Sequence, residues 1–437
     1  MARPQSKYKM SFYNVFHQDG NSQYIWNTNS NALINLDIST QNYIRSFCGV
    51  DDGSAEFMLM KDNGFIVYEQ LNEFGRICVE EKQSLFAHNT TDLWFTIAPG
   101  LGCNYCCGYC FESNSNRSGV MTLEIATEVA EYICNQIRNN HYVNHLTVEW
   151  FGGEPLLYLD AIKIISRVLM EYTQKNNIEY TPSIVTNGRF LNVQTLALLS
   201  ELCINDVYIT IDGMRDLYCK SKGASPNDFD CVIDNICNIA DKVRPSIRLN
   251  IPDNDADEAI ITTDFLLKQC NLKGRVRLSF AQVIDYSLQP DSSQQLYEKY
   301  ADNLLRWTHY VIEEYGISEI EHMFCGQRLA RCGLVNTRSV LIGPHGELYK
   351  CHRSPGVDSM IIGNIWEDRF YNDVEFAFYT TVDDPTKIKC SQCEYLPVCM
   401  GGCQANRVSN FINFNCGTRK ATLLKLRLLE EKRIRMN

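Results

Sequence analysis

No apolar run in this 437-residue chain approaches the roughly 20 residues that a bilayer-spanning helix requires. There is no excess of basic charge either: 41 Lys and Arg stand against 52 Asp and Glu, a net charge of -11. That balance argues against a general nucleic-acid binder, because neutralising phosphates takes a basic surface. The first ten residues are polar and basic with no apolar segment behind them, which excludes a signal peptide of the usual pattern. The expectation is a cytoplasmic protein with neither membrane nor nucleic acid as partner. Disorder is excluded as well, since 45% hydrophobic and 21% charged residues is ordinary globular composition in a chain long enough for two or three domains.

What is abundant is cysteine, with 20 residues. In a large chain without an export signal, thiolates more often bind metal than pair as disulfides. Cys103, Cys107 and Cys110 stand in C-x3-C-x2-C spacing just after the apolar run 93–97. Three thiolates on one short loop can hold three irons of a cubane and leave the fourth open, whereas structural sites are closed by four ligands. A zinc loop is the alternative reading of the triplet taken alone. Cys106 is out of register and is left out of the set. Cys48, Cys78, Cys134, Cys203, Cys219, Cys231, Cys237 and Cys270 are scattered singly and read as small buried hydrophobes.

Residues 8–91 read as a small separate unit. A strand at 24–30 runs into a turn, Ser30 or Asn31 caps a short helix through Leu36, a second helix starts at Ser39 or Thr40, and Asn63-Gly64 turns into a strand at 65–67. Short helices followed by a hairpin resemble a winged helix. From residue 92 the pattern changes. Strand-like runs at 93–97, 146–150, 183–186, 207–211, 246–250 and 276–280 alternate with helix-like runs. Six β/α units in succession predict an α/β fold, a parallel sheet curled into a full or partial barrel with helices outside. Such folds carry their chemistry on loops after the strands, and the cysteine triplet follows the first strand.

The loops after later strands bear this out at the level of pattern. Gly152-Gly153-Glu154-Pro155 follows the second strand, Thr186-Asn187-Gly188 the third and Asp212-Gly213 the fourth. Paired glycines let backbone approach a ligand, and a carboxylate suits an ammonium group. Together with Tyr109 before the last cysteine, these motifs resemble the radical S-adenosylmethionine (SAM) enzymes. The resemblance implies a partial (β/α)6 TIM-like barrel in which Cys103, Cys107 and Cys110 bind a 4Fe-4S cluster whose open iron is chelated by SAM. It also implies that an electron from a donor such as flavodoxin or ferredoxin cleaves SAM to a 5'-deoxyadenosyl radical, which abstracts a hydrogen atom from the substrate. Carried over by residue, Gly152, Gly153 and Glu154 contact the SAM amino group, Tyr109 lies near the adenine, and Asn187 and Asp212 belong to the pocket. The family's usual arginine past the Asp-Gly turn is replaced by lysines, of which Lys222 supplies the charge without the bidentate fork.

A second cysteine group follows: Cys325, Cys332, Cys351, Cys390, Cys393, Cys399, Cys403 and Cys416. Eight thiolates make two closed sets, which spacing alone reads as two zinc sites or two iron–sulfur clusters. The whole spacing resembles the SPASM extension of peptide- and protein-modifying radical SAM enzymes. That resemblance implies two auxiliary 4Fe-4S clusters, three in all, with Cys325, Cys332, Cys351 and Cys403 holding one and Cys390, Cys393, Cys399 and Cys416 the other. The expected domains are 1–91 (winged-helix-like, a candidate leader-recognition domain), 92–315 (radical SAM core) and 316–437 (SPASM, with a terminal helix over 418–436).

Two enzyme readings compete. One is a maturase of a ribosomally synthesised precursor peptide, whose leader the N-terminal unit grips by strand addition and in which a thioether or carbon–carbon crosslink is installed. His352 is its candidate proton acceptor, since imidazole titrates near neutrality. The other is an anaerobic sulfatase maturase making formylglycine. It is disfavoured by the hundred or so residues before the triplet and by His352 where that group has an aspartate. A reading of another class is a non-catalytic metal-cluster protein that binds peptides.

Overall fold

In the computed structural model the described residues are 7–86, 91–110, 112, 119–252, 255–283, 290–321, 337–367, 389–403 and 416–434. Residues 7–86 carry β1 (Tyr8–Met10), β2 (Asn14–Asp19), β3 (Ser22–Asn27), β4 (Leu33–Asn35), α1 (Ile38–Ser46), α2 (Ala55–Asp62), β5 (Ile66–Tyr68) and α3 (Glu73–Phe86). β2, β3 and β4 form an antiparallel meander, and β1 pairs with β5. The helix expected through Leu36 is instead β4. Asn31 adopts φ of 62°, a left-handed turn that Asn tolerates, and the turn returns the chain so that Trp26 faces Leu33 across the hairpin. The true helix begins after Asp37, whose side chain accepts from the Thr40 N–H, a capping bond.

Nor is this unit separate. Val15, Trp26 and Leu33 share a buried cluster with Tyr395, Val398, Leu423, Leu424 and Leu428 from the far end of the chain. Trp26 and Tyr395 meet edge to face at 5.7 Å, Thr28 donates to the Glu394 carbonyl at 2.5 Å, and Arg427 donates to the Asn31 carbonyl at 3.1 Å.

The core runs β6 (Asp92–Ile97), α4 (Leu123–Arg138), β7 (His145–Trp150), α5 (Leu159–Lys175), β8 (Glu179–Thr186), α6 (Val193–Glu201), β9 (Asp206–Ile211), α7 (Arg215–Lys222), α8 (Pro226–Ile239), β10 (Ser246–Ile251), α9 (Glu258–Asp264), β11 (Arg277–Gln282) and α10 (Pro290–Tyr315). β6 to β11 are parallel and lie side by side in chain order, the six units expected. β12 (Ser339–Ile342) extends the sheet beyond β6, parallel to it, and β13 (Glu347–Tyr349) and β14 (Gly363–Asn364) follow antiparallel. Among the described residues the sheet stays open, with β11 and β14 at its edges. The last element is α11 (Cys416–Ile434).

Sequence accounts for the layering. In β7 the apolar Leu146, Val148 and Trp150 are buried and His145, Thr147 and Glu149 between them are not, so one face packs and the other stays polar. α4 buries Ala126, Val129, Ala130, Ile133 and Ile137, a helical stripe, and its N-cap Thr122 accepts from the Ile125 N–H. α8 opens with a capping box of Ser225 and Asp228, with Pro226 in its first turn, where the missing N–H costs nothing. The polar face of the sheet, not the packed one, is therefore available for chemistry.

Candidate active site

The loop after β6 carries the triplet and is tied down at both sides. Near its start, Gly153 donates to the Gly100 carbonyl at 3.2 Å, and Glu154 donates its backbone N–H to the Gly102 carbonyl at 3.0 Å. Around the cysteines, Cys106 donates to the Lys222 carbonyl at 3.0 Å and Gly108 to the Ser221 carbonyl at 3.1 Å, both at the end of α7. Only glycine fits the first crossing. A Cβ on Gly153 would stand 2.2 Å from the Gly102 oxygen and 2.5 Å from that of Leu101, and Gly152, at φ of 109°, has the Gly100 oxygen 2.5 Å from where its Cβ would be.

Cys103, Cys107 and Cys110 open onto one cavity of about 320 Å³, which also meets Tyr109, Gly152, Gly153, Asn187, Lys222 and Arg248. Burial pushes the Cys107 thiol up to about 11, with Lys222 pulling it down. Among the described residues no three His, Cys, Asp or Glu side chains converge tightly enough to hold a single ion. Ligands of a cubane bind different irons and so line a cavity rather than meet at a point, an arrangement that suits a cluster better than zinc.

Tyr109 donates to Asp212 at 2.6 Å, and burial together with that carboxylate raises its phenol far above the usual range. Asp212, fully buried, faces Lys222, 2% exposed, at 3.3 Å, and Lys222 also donates to Thr210 at 3.0 Å. Lys222 therefore places a cation beside the cysteine loop, but one already matched by Asp212. Asn187 stands over the triplet, donating to Asn104 at 2.8 Å with Cys103 Sγ at 3.8 Å.

Glu154 departs from its expected place. Its side chain is 0% exposed and is not part of the cavity wall. The carboxylate accepts from Leu156 N–H at 3.0 Å, Thr186 Oγ1 at 2.7 Å and Asn187 N–H at 2.8 Å. Three donors occupy most of a carboxylate's acceptor positions, so Glu154 clamps the glycine loop to the end of β8. Burial raises its pKa, against those hydrogen bonds. In this motif it is the backbone of Gly152 and Gly153 that meets the cavity. His352 also sits beside the cavity rather than in its wall. Its Nε2 lies 2.6 Å from Glu149 Oε1, and its ring meets Phe151, which does line the cavity, edge to face at 4.8 Å.

The C-terminal cysteines are described only in part. Cys325 and Cys332 lie outside the described residues, as does the side chain of Cys416 at the head of α11. Cys390 and Cys393 are joined by a backbone turn, and Cys399 ends the helical turn Leu396–Cys399. Arg419, one turn into α11, donates to Cys399 Sγ at 3.1 Å, and Lys420 pairs with Glu394 at 3.1 Å; burial lowers the Lys420 pKa, but Glu394 first and Cys393 second raise it above the usual value. The head of α11 thus brings two cations to Cys393 and Cys399. Cys351 and Cys403 are described, but their expected partners are not.

The family model of the radical SAM superfamily matches residues 97–266. The chain carries a radical SAM domain. Its three cysteines, its glycine crossing and the cavity they share fit a cluster and SAM by the chemistry of their donors. A cysteine-type anaerobic sulfatase-maturating enzyme from Clostridium novyi is 24% identical over 344 residues, 71% of this chain and 87% of its own. The radical SAM cyclopropyl synthase TigE from Paramaledivibacter caminithermalis is 30% identical over 146 residues, 30% of each protein, so the chain spans under a third of that relative. Among solved structures, native anSMEcpe with bound AdoMet has a TM-score of 0.58 at 20% identity over 76% of this chain and 95% of its own. Streptococcus suis SuiB bound to S-adenosylmethionine has 0.52 at 16% over 94% and 99%. At those identities the likeness is one of fold.

Sequence reasoning missed Arg248 and Asn250, although the alternation in Ser246-Ile247-Arg248-Leu249-Asn250-Ile251 puts both on the polar face. Both line the cavity. It also missed Tyr158, whose hydroxyl accepts from the Gly102 N–H at 3.1 Å beneath the start of the loop.

Proposed function

We propose that this chain is a radical SAM peptide maturase, which takes a hydrogen atom from a residue of a ribosomally made precursor and installs a thioether or carbon–carbon crosslink. The observation that carries the reading is the opening of Cys103, Cys107 and Cys110 onto the same cavity as the glycine backbone of residues 152 and 153. When bound, the cluster and SAM supply a 5'-deoxyadenosyl radical for hydrogen abstraction. The chain's own part is to bind and orient. The three thiolates hold the cluster, the glycine backbone receives the SAM amino group, Lys222 and Asn187 flank it, and Tyr109, fixed by Asp212, forms the wall expected at the adenine. Cys325, Cys332, Cys351 and Cys403, and Cys390, Cys393, Cys399 and Cys416, hold two auxiliary clusters in this reading. Arg419 then offsets part of the negative charge of the second set, while Lys420 beside it is matched by Glu394. A peptide substrate is supported by what structures of this fold hold: one, at a TM-score of 0.57, contains anSMEcpe with AdoMet and the Kp18Cys peptide.

The sulfatase-maturase reading keeps one specific support, the 344-residue match to the Clostridium novyi enzyme. Against it stand the N-terminal unit packed on the C-terminal segment and His352 at the position where an aspartate is expected. One experiment separates the readings. Anaerobically reconstituted protein, reduced with dithionite in the presence of SAM, is expected to release 5'-deoxyadenosine. With a candidate precursor peptide added, that peptide is expected to lose two hydrogens as the crosslink forms. Formylglycine in a sulfatase peptide decides for the alternative, and zinc without acid-labile sulfide overturns both. Leader binding is to be measured on the full chain, because residues 7–86 share a core with α11.

A further inference from the structure

The charges around the cavity do not cancel. Lys222 is matched by Asp212. Glu149, near the cavity on β7, is hydrogen-bonded to His352 at 2.6 Å, and Glu112 is buried in the wall and engaged within the chain. Arg248 is different. It is exposed, lines the cavity, and donates through Nε to Asn250 Oδ1 at 3.0 Å. No carboxylate among the described residues pairs with it. A guanidinium held by a neutral amide along one edge keeps its remaining N–H groups directed at whatever enters, and those groups match a carboxylate.

Position separates this cation from the cysteine loop. Arg248 lies on β10 opposite Thr210 and Ser279, two residues before Asn250, which reaches Tyr109 at 3.5 Å. Two strand residues span about 6.5 Å, so the backbone of Arg248 lies one layer below Asn250 while its guanidinium reaches up to that residue. The cation that acts on Cys107 is Lys222, and Lys222 is the residue to which the radical SAM resemblance gives the SAM carboxylate.

We infer that Arg248 binds a carboxylate of the substrate, so that the peptide segment entering the cavity presents an acidic side chain or its own C-terminal carboxylate at this layer. The inference rests on the peptide-maturase reading, and its test reads binding rather than turnover. Saturation-transfer NMR on reconstituted, SAM-loaded holoenzyme compares N-acetyl-glycyl-glutamyl-glycinamide, its glutaminyl and lysyl analogues, and N-acetyl-triglycine with a free carboxylate. One of the two carboxylate probes is expected to bind about tenfold tighter than the glutaminyl analogue, the scale of a charge-assisted hydrogen bond. Which of the two it is identifies the source of the carboxylate. Arg248→Gln is expected to erase the difference and Arg248→Glu to turn the preference toward the lysyl probe, a gain that an unfolded variant cannot show. Equal binding of all probes by the wild type, or a preference that survives in Arg248→Gln, overturns the inference. So does a tenfold loss of SAM affinity in that variant, which would give the guanidinium to SAM. Failure of the parent reading would appear separately, as absence of 5'-deoxyadenosine from the wild type or as formylglycine in a sulfatase peptide.

Discussion

The cysteine loop hangs from the end of a parallel sheet, and the backbone of residues 100–108 is bonded to two other segments, the glycine crossing at 152–154 and the tail of α7. The cysteines at 390–403 are not borne by the parallel sheet. They sit on short helical turns wedged between the N-terminal meander and α11, where Tyr13, Ile77, Leu396 and Met400 form one small buried cluster and Trp26 with Tyr395 and Val398 another. A site on a packed sheet is placed by the core, which folds whether or not a metal arrives. A site on short turns depends more heavily on metal ligation and on the neighbours that cover it.

The largest effect tests the sheet-borne site. Cys107→Ala removes one of the three thiolates of the triplet. Release of 5'-deoxyadenosine is expected to vanish, and iron to fall from about twelve per chain to about eight, given four irons per cubane. Because the loop is held by backbone bonds to 153, 154, 221 and 222, the circular dichroism and melting of this variant are expected to stay near wild type. A collapse of the core would mean that the cluster, not the sheet, organises the loop.

Trp26→Ala tests the other side. Trp26 is fully buried in the seam between the meander and α11, and deleting such a ring costs about 3–5 kcal/mol. The loss falls on the turns that carry Cys390, Cys393 and Cys399. The expected outcome is loss of about eight irons, two cubanes of four, with the SAM-responsive cluster signal retained in electron paramagnetic resonance. Loss of both signals together would show that the two regions fold as one unit.

How far these regions could be read in advance follows the same division. The triplet, the glycine pair and the six alternating units are local patterns, and each fell where strand-end chemistry requires. Glu154 was legible as a carboxylate but not as a clamp, because its partners Thr186 and Asn187 are more than thirty residues away and belong to the next strand end. Arg248 was visible in the alternation of β10 but had no motif to mark it. β4 was misread as helix because Asn31 serves equally as a cap or as a left-handed turn, and only pairing with β3 decides. The packing of Trp26 on Tyr395 joins residues at opposite ends of the chain, and no periodicity reports it.

A third substitution asks how tightly the rim of the sheet is built. Gly153→Ala drives a methyl into two carbonyl oxygens, which are backbone and cannot rotate away. Overpacking of that kind costs about 1–3 kcal/mol, and relief requires the segment carrying Cys103 to move. SAM affinity by equilibrium dialysis is expected to fall about tenfold. Gly108→Ala in the same loop is the control: nothing stands within 4 Å of its added methyl, and stability should change by less than about 1 kcal/mol.

The smallest effect is expected from Thr122→Ala. Thr122 is exposed, and its hydroxyl accepts the Ile125 N–H at 3.2 Å, so the substitution removes one capping bond from α4 and costs about 1 kcal/mol. The stripe of α4 packs on the sheet, and its N-terminus follows Met121, whose N–H donates to the Pro99 carbonyl at 2.9 Å just before the cysteine loop. Scanning calorimetry is expected to show a lower melting temperature for the core with iron content and SAM affinity intact, because the loop keeps its bonds to the glycine crossing and to α7. If this mild change already loosens the triplet's cluster, then the loop is balanced on its local contacts, and the sheet does not protect it as the comparison with residues 390–403 implies.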